Sequence, residues 1–481
     1  MKTTTVTIGQ PTSKNVCSHA GTMLPALVAT QAQVANEIDA AFPALAFRRT
    51  HTPGRVVAAM ATTLAFGGDD LSDITLLRPV ACNGLVDHIC SVATAYRRLT
   101  DLSGMKLTEV IGAVGRARRR IWKAAHWANP AHRASVHTPL IIDLDATIVQ
   151  AHSPKQKAAP TWKRSFGFHP LIAMADYGAD LGGEILVPLL RAGNAGANTA
   201  DDHIRVLDLA LHAIGGNIHA DGLPFGKRLV VRSDGAGGTK TFIQHCHKQG
   251  FGFIVGLRSL PILVDVLNTI SDNQRYRLPG RDDTDEEFIA DITPQLRLAH
   301  RAGTLTSLNL DDYPPGMRFI ARVSYPACGA SPTDGDFLGR RIQLCVTNLH
   351  GHSADAIDRL YYLRGRAEQR IRDVKATGLS KLPFYDFATN QIWAVIAALA
   401  HSLTTWAGLM LGINRHTVGA YSATDNQRWW LWEPKTLRAR LLSIAAKTTR
   451  SARKITLRYD GSHPHAPLLT TIITHLQRLR I

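Results

Sequence analysis

Apolar residues change their spacing twice along the chain. Up to about residue 135 they recur at helical intervals. Residues 54–66 form an apolar run that stops at Gly67-Gly68, a helix terminus. Asp70-Leu71-Ser72-Asp73 can cap a short helix over residues 74–78, with Pro79 beyond it. Residues 86–99 predict a third helix with Ser91, Thr94, Tyr96, Arg97 and Arg98 outside. Short helices ending in one of this kind resemble a helix-turn-helix, and a plain helical bundle fits equally well. The next helix carries Arg116, Arg118, Arg119, Arg120 and Lys123 beside Trp122 and Trp127. Clustered arginines among aromatics suit a DNA backbone, and a solvated basic face is the plain alternative.

From about residue 138 the pattern becomes strand-like. Residues 139–149 are apolar and β-branched, and 168–175 and 184–190 are further strand candidates. A helix over 199–214, a buried strand over 228–232 and a helix over 239–249 follow. Strand-strand-strand-helix-strand-helix is the order of a ribonuclease-H-like core, an α/β fold with a mixed sheet flanked by helices. Between about 251 and 345 the pattern breaks into short strands, at 253–257, 317–325 and 341–346, joined by an acidic run at 282–287 and a loop at 329–339. This predicts a β-rich insertion. One helix is expected over 354–377 and another over 387–411. The tail reads as helical, and holds Arg428, Trp429, Trp430, Trp432, Lys435, Arg438, Arg440, Lys447, Arg450, Arg453, Lys454 and Arg458. The expected organisation is therefore a helical DNA-binding domain (1–135), the first part of the core (136–250), the insertion (251–345), the second part of the core (346–420) and a basic helical C-terminal region (421–481).

Charge narrows the function. Fifty-five Lys and Arg against 38 Asp and Glu leave +17, and a surplus of that size implies a polyanionic partner, nucleic acid before membrane. The N-terminus lacks the apolar stretch of a signal peptide. Residues 392–411 are apolar but hold His401, Ser402, Thr404 and Thr405, so a buried core helix is expected rather than a membrane span. The six cysteines form no CxxC pair and read as reduced thiols of a cytoplasmic protein. His245-Cys246-His247 are adjacent, so they diverge on a helix and make no metal site.

Candidate chemistry centres on the helix at 354–377. Tyr361, Arg364, Glu368 and Lys375 stand at offsets of 0, 3, 7 and 14. On one continuous helix they would lie within a stripe roughly 60° wide. A carboxylate, a guanidinium, an ammonium and a phenol on one face suit a phosphate held beside a metal ion. Two-metal phosphoryl transfer needs further carboxylates from distant parts of the chain. Asp145, on the first strand, and Asp234, in Arg232-Ser-Asp-Gly-Ala-Gly-Gly238, can supply them beside Glu368. The glycines after Asp234 end a strand and permit close approach of a ligand. Strand alternation puts Asp143 on the same face as Asp145 and Thr147, so both aspartates could reach a cleft.

These residues resemble the DDE transposases of bacterial insertion sequences, in the group 1 DDE domain class. The signature Tyr-x2-Arg-x3-Glu-x6-Lys of one branch is matched without a gap by Tyr361, Arg364, Glu368 and Lys375. Asp143-Leu-Asp-Ala-Thr147, Phe166-Gly-Phe-His-Pro-Leu171, Arg191-Ala-Gly-Asn194 and Arg232-Ser-Asp-Gly-Ala236 look like the family's other landmarks. The resemblance spans roughly residues 20–460 and implies the following. Asp145, Asp234 and Glu368 bind two Mg²⁺, with Mn²⁺ able to substitute, and Asp143 supports Asp145. Water, then a freed 3′-hydroxyl, attacks phosphodiesters at the transposon ends, which are joined to target DNA. Tyr361, Arg364 and Lys375 hold the DNA near the cut and help to stabilise a distorted or flipped terminal nucleotide, with Trp162 and Trp393 as speculative stacking partners. The protein is a homodimer on paired ends, nucleoid-associated in a bacterial cytoplasm. Two other readings compete. One is a catalytically inactive DNA-binding descendant of such an enzyme. The other is a haloacid-dehalogenase-type phosphatase, whose DxDxT motif Asp143-Leu-Asp-Ala-Thr147 also fits, although the later paired-Asp motif of that fold is missing.

Overall fold

The computed structural model describes residues 16–82, 86, 88–125, 128–196, 198–219, 221–258, 262–278, 287–326, 336, 338–411, 425–451 and 454–479. Trp127, the acidic run at 282–286, most of the 329–339 loop and Arg453 lie outside the described residues. The N-terminal part is helical, as its apolar periodicity predicts: α1 Met23–Gln31, α2 Val34–Ala41, α3 Pro53–Phe66, α4 Val92–Ser103 and α5 Leu107–Ala124. Pro53 opens α3 behind a Thr52 cap, and Gly67, at φ 128°, ends it. The helix expected over 86–99 begins later. The Ser91 hydroxyl accepts from the Thr94 amide at 3.2 Å and fixes the start at Val92.

Nine strands form one mixed sheet. They are β1 Leu140–Ala146, β2 Leu171–Asp176, β3 Gly183–Leu189, β4 Leu229–Ser233, β5 Gly252–Leu257, β6 Tyr276–Arg277, β7 Phe288–Asp291, β8 Arg318–Ser324 and β9 Arg341–Thr347. Their order is β6-β7-β8-β9-β5-β4-β1-β2-β3. β4 runs parallel to both β1 and β5, and every other neighbouring pair is antiparallel. The strands expected as an insertion therefore make no sheet of their own. β5 lies mid-sheet, and β9 continues the ladder from it by pairing Thr347 with Ile254.

Alternation along β1 sorts its side chains. Leu140, Ile142 and Leu144 enter the main apolar core, which also takes in the N-terminal helices, α6 Ala200–Ile214 and α7 Lys240–Lys248. Ile141 joins a smaller cluster on the opposite face with Val230, Ile254, Ile320 and Ile357. Helix α8 Ala354–Tyr362 covers that second face. The apolar helix α10 Phe387–Leu411 is a core helix, packed between β3 and α1, α3 and α4. It is the one described helix long and apolar enough to cross a membrane, and 94% of its most apolar window is buried inside the protein.

Two expectations are corrected. The helix foreseen over 354–377 is broken: α8 ends at Tyr362, and α9 Gly365–Val374 starts afresh with Arg364 at its N-cap. The tail is only partly helical. β10 Ala446–Ser451 and β11 Lys454–Tyr459 form a hairpin that pairs with Val16–Cys17, ahead of α11 Ala466–Arg478. The β-branched residues Thr448, Thr449, Ile455 and Thr456 favour extended backbone there, whatever the basic residues between them. Arg438, one of the basic residues of the tail, is turned inward. Its guanidinium donates to the carbonyls of Leu64 (2.7 Å), Ala65 (3.0 Å) and Ala376 (2.9 Å), closing the open C-terminal end of α3.

Candidate active site

Because β1 and β4 are parallel, their C-terminal ends open on one edge of the sheet. The face under α8 changes character toward that edge. Ile141, Val230 and Ile254 are apolar, Asp143 and Arg232 stand opposite each other in register, and Asp145 and Asp234 come last. Asp145 accepts from the Ala146 amide at 2.9 Å and meets the Arg364 guanidinium at 3.3 Å. Asp234 caps its own turn by accepting from the Ala236 amide at 3.0 Å. Burial raises the Asp145 carboxyl to about 6; Arg364 opposes this, and the nearby carboxylates of Asp234 and Glu368 add to it. Three acids from β1, the end of β4 and α9 thus share one electrostatic field. Burial acts to lower the Arg364 guanidinium, but Asp145, Tyr361, Asp234 and Glu368 outweigh it and hold it above its ordinary value.

The other signature residues surround this field despite the helix break. Burial pushes the Tyr361 phenol up to about 12. Its hydroxyl lies over Gly256, where a Cβ would stand 2.3 Å from it and 2.9 Å from the Gly235 amide. A glycine inside β5 is what allows the phenol and the Asp234 turn to approach each other. Lys375, beyond the end of α9, donates to the Ile148 carbonyl at 2.8 Å, close behind Asp145. Two landmark stretches also meet: the Arg191 side chain donates to the His169 carbonyl at 2.9 Å and pairs with Asp202 at 3.0 Å.

Asp143 does not reach the cleft, which corrects the expectation that both aspartates could. Its carboxylate is fully buried and takes two bonds from Arg232, at 2.7 and 2.8 Å. Arg232 also bonds Asp176 at 2.9 Å and the Leu360 carbonyl, at the end of α8, at 2.6 Å. Arg370 and Arg366 of α9 reach the other Asp176 oxygen at 3.1 and 3.5 Å. Burial acts to raise Asp176, but Arg370 and Arg232 overcome it and hold the carboxyl below its usual range. Glu368 lies between Arg366 and Arg370 in sequence, so this network fixes the helix that presents the third acid. Arg232, Asp176, Arg366 and Arg370 were missed from sequence. The signal for them was the rarity of ionic residues inside apolar strands, which applies to Arg232 and Asp176 as much as to Asp143.

Most of the α5 arginines are engaged within the protein. Arg118 is buried against Glu184 at 2.9 Å, while Arg116 and Arg120 both bond Glu37, at 2.8 and 2.7 Å. Arg119 packs beside Gly215 at the end of α6, and Lys123 alone of the five is exposed. Helix α5 is amphipathic, and three of its arginines, Arg116, Arg118 and Arg120, pair with protein carboxylates. Trp393 is a core residue, donating to the Gly378 carbonyl at 2.9 Å, whereas Trp162 is 69% exposed.

The three acids are hard oxygen donors of the kind that holds Mg²⁺. Among the described residues no three His, Cys, Asp or Glu stand close enough together to enclose an ion, and the Arg364 guanidinium supplies the counter-charge beside Asp145. The donors are of the type a divalent cation takes, and although burial is the main cause that raises the Asp145 carboxyl, the Asp234 and Glu368 charges that add to it are ones such an ion would offset.

No curated protein matches the chain. Among solved structures it is similar, at TM-score 0.40 and 8% identity over 87% of this chain and 80% of the other, to the piggyBac transposase synaptic complex with hairpin DNA. The family defined by the transposase DDE domain, group 1, matches residues 5–481. With the match running over nearly its whole length, the chain belongs to the group 1 DDE-domain transposases.

Proposed function

We propose that this transposase moves a bacterial insertion sequence by cut-and-paste, and that it falls in the branch marked by the Tyr-Arg-Glu-Lys signature. The observation that carries the reading is the convergence of Asp145, Asp234 and Glu368 on one field, with Arg364 and Tyr361 inside it. Strand order β3-β2-β1-β4-β5, with β2 alone reversed, is what a ribonuclease-H-like core requires and supports that assignment. In this reading residues 136–250 with β5, and residues 346–420, are the core, the rest of the expected insertion (258–345) elaborates its sheet, and 1–135 and 421–481 flank it. The three acids would hold two Mg²⁺ ions, or Mn²⁺ in their place, which activate the attacking oxygen and offset charge on the leaving one. Arg364 releases Asp145 and turns to the scissile phosphate, Lys375 faces the neighbouring phosphate, and the un-ionised Tyr361 donates its proton in a hydrogen bond. The partners are the element's terminal repeats and target DNA, and two paired ends call for a homodimer. A phosphatase using Asp143 as nucleophile is disfavoured by the two Arg232 bonds that bury that carboxylate.

The test is Mg²⁺-dependent cleavage of the element's own end DNA by wild type, Asp145→Ala, Asp234→Ala and Glu368→Ala, with binding scored in parallel. Each substitution is expected to abolish cutting and leave binding intact. Tight binding with no cutting by wild type, in Mg²⁺ or Mn²⁺, would instead identify an inactive DNA-binding descendant.

A further inference from the structure

The turn that carries Asp234 is held from two sides. On one side lies β5, where a Cβ at Gly256 would stand 2.9 Å from the Gly235 amide. On the other lies the first turn of α6, which presents His203. A Cβ at Gly237 would stand 2.1 Å from the Ser233 hydroxyl and 3.4 Å from Cδ2 of the His203 imidazole. A Cβ at Gly238 would stand 2.5 Å from the Gly256 carbonyl oxygen. Glycine at 237 and 238 is what lets a strand and an imidazole close on the turn together. The turn adds one bond of its own across Asp234, from the Gly237 amide to the Asp234 carbonyl at 3.1 Å.

His203 is itself firmly placed. It is buried, and its Nδ1 donates to the Thr199 carbonyl at 2.9 Å. A carbonyl can only accept, so Nδ1 carries the proton and the bond sets the angle of the ring. The Phe242 ring of α7 packs against it at 5.5 Å between centroids, so one imidazole touches both the Asp234 turn and the helix that follows. The start of α6 is anchored in turn by Arg191, which bonds Asp202 at 3.0 Å and the Gly196 carbonyl at 3.1 Å. Burial lowers the imidazole below its ordinary value, and the Thr199 bond and the Asp234 charge act the other way. His203 therefore stands within the electrostatic reach of the acid it backs, yet phosphoryl transfer as described above gives it no part.

We infer that His203 is a positioning residue for Asp234: oriented by the Thr199 carbonyl, its imidazole presses the 234–238 turn against β5 and keeps the carboxylate aimed at the ion it shares with Asp145 and Glu368. The inference rests on the two-metal reading above. It is tested on the full chain by Mn²⁺ binding, read as loss of the free-ion electron paramagnetic resonance signal, and by single-turnover cleavage of end DNA over a series of Mg²⁺ concentrations. Removing a group that orients a metal ligand from behind costs roughly 10–100-fold in metal affinity. His203→Ala is expected to weaken Mn²⁺ binding about tenfold and to raise the Mg²⁺ needed for half-maximal cleavage by as much, with DNA binding unchanged. His203→Gln, which can donate to the Thr199 carbonyl and still reach Gly237, should stay close to wild type. His203→Phe fills the same space without the donor and should fall with His203→Ala. Should His203→Ala fail to melt cooperatively, the other two variants carry the comparison. Equal binding by His203→Gln and His203→Phe, or undiminished binding by His203→Ala, would overturn the inference. Mn²⁺ bound equally by wild type and Asp234→Ala would bring down the two-metal reading itself; binding lost in Asp234→Ala but kept in every His203 variant would remove the positioning role alone.

Discussion

Asp143 and Asp145 share a strand face but not a role, and the difference is one of depth. Asp143 and Arg232 form a two-bonded pair with essentially no exposure. Removing one partner from such a pair leaves the other charged and buried, so Asp143→Ala should cost about 3–5 kcal/mol in urea unfolding. Asp145→Ala removes a carboxylate that is already unfavourable when ionised, and should leave the unfolding midpoint no lower. Equal destabilisation by the two would contradict this division. The Asp145 carboxyl rises from 3.8 to about 6, so it binds its proton more tightly folded than unfolded. Its contribution to stability is full below the unfolded value and is lost as pH climbs through about 6. Asp145→Asn, which cannot ionise, should therefore melt above wild type at pH 7.5 without divalent cations, by roughly 2–3 kcal/mol, and lose that advantage at pH 4. Identical differences at the two pH values would show that the shift is absent. Alternation along β1 revealed the common face of the two aspartates. It could not give their depth, because that depends on Arg232, far along the chain and placed opposite Asp143 only by strand pairing.

At the level of elements, Tyr361, Arg364 and Glu368 share one field although their helix is interrupted, and Lys375 reaches the Ile148 carbonyl. Arg364 at the N-cap of α9 lets the second helix take its own direction, and the half-buried Arg366 and the buried Arg370 set that direction against Asp176. Helical spacing foretold the neighbourhood of Tyr361, Arg364 and Glu368, since short separations survive a change of axis. It did not foretell the break, because residues 354–377 contain no proline and keep their apolar period across it. Strand β5 shows the reverse case, in which an unremarkable glycine limits the site. Gly256→Ala would put a methyl group into the Tyr361 hydroxyl and against the backbone of the Asp234 turn. The phenol can swing aside but the turn must shift, so single-turnover cleavage is expected to fall roughly 100-fold, as for a displacement of about 1 Å at a reacting centre. The melting temperature should change far less than for Asp143→Ala. Wild-type cleavage by Gly256→Ala would show that the turn does not hold Asp234 in place. The tail was misread for the opposite reason. Its basic residues dominated a pattern whose β-branched positions carried the fold.

The whole molecule is knit together across the boundary at which the sequence changes character. Helices α1, α3 and α4 pack on α10, which packs in turn on β3. The buried carboxylate of Glu184, in β3, is held jointly by both sides of that boundary. Arg118 pairs with it at 2.9 Å and Trp122 donates at 3.0 Å from α5, while Tyr177 and Trp406, at 2.8 Å, donate from the other side. A fragment beginning at residue 136 would lose the guanidinium and one indole from a carboxylate with no access to water, and would bare an apolar face of α10. Each loss costs several kcal/mol, on the scale of a whole domain's stability. The 136–481 fragment is therefore expected to be insoluble or molten, with no cooperative melting by circular dichroism, whereas the full chain melts in one transition. A soluble fragment with a sharp transition would show that the helical part is a separable domain. If the fragment fails as expected, the proposal that residues 1–135 recognise DNA ends has to be tested by point substitution at exposed positions such as Tyr96, Arg97 and Lys123, since deletion would remove the fold together with any contact.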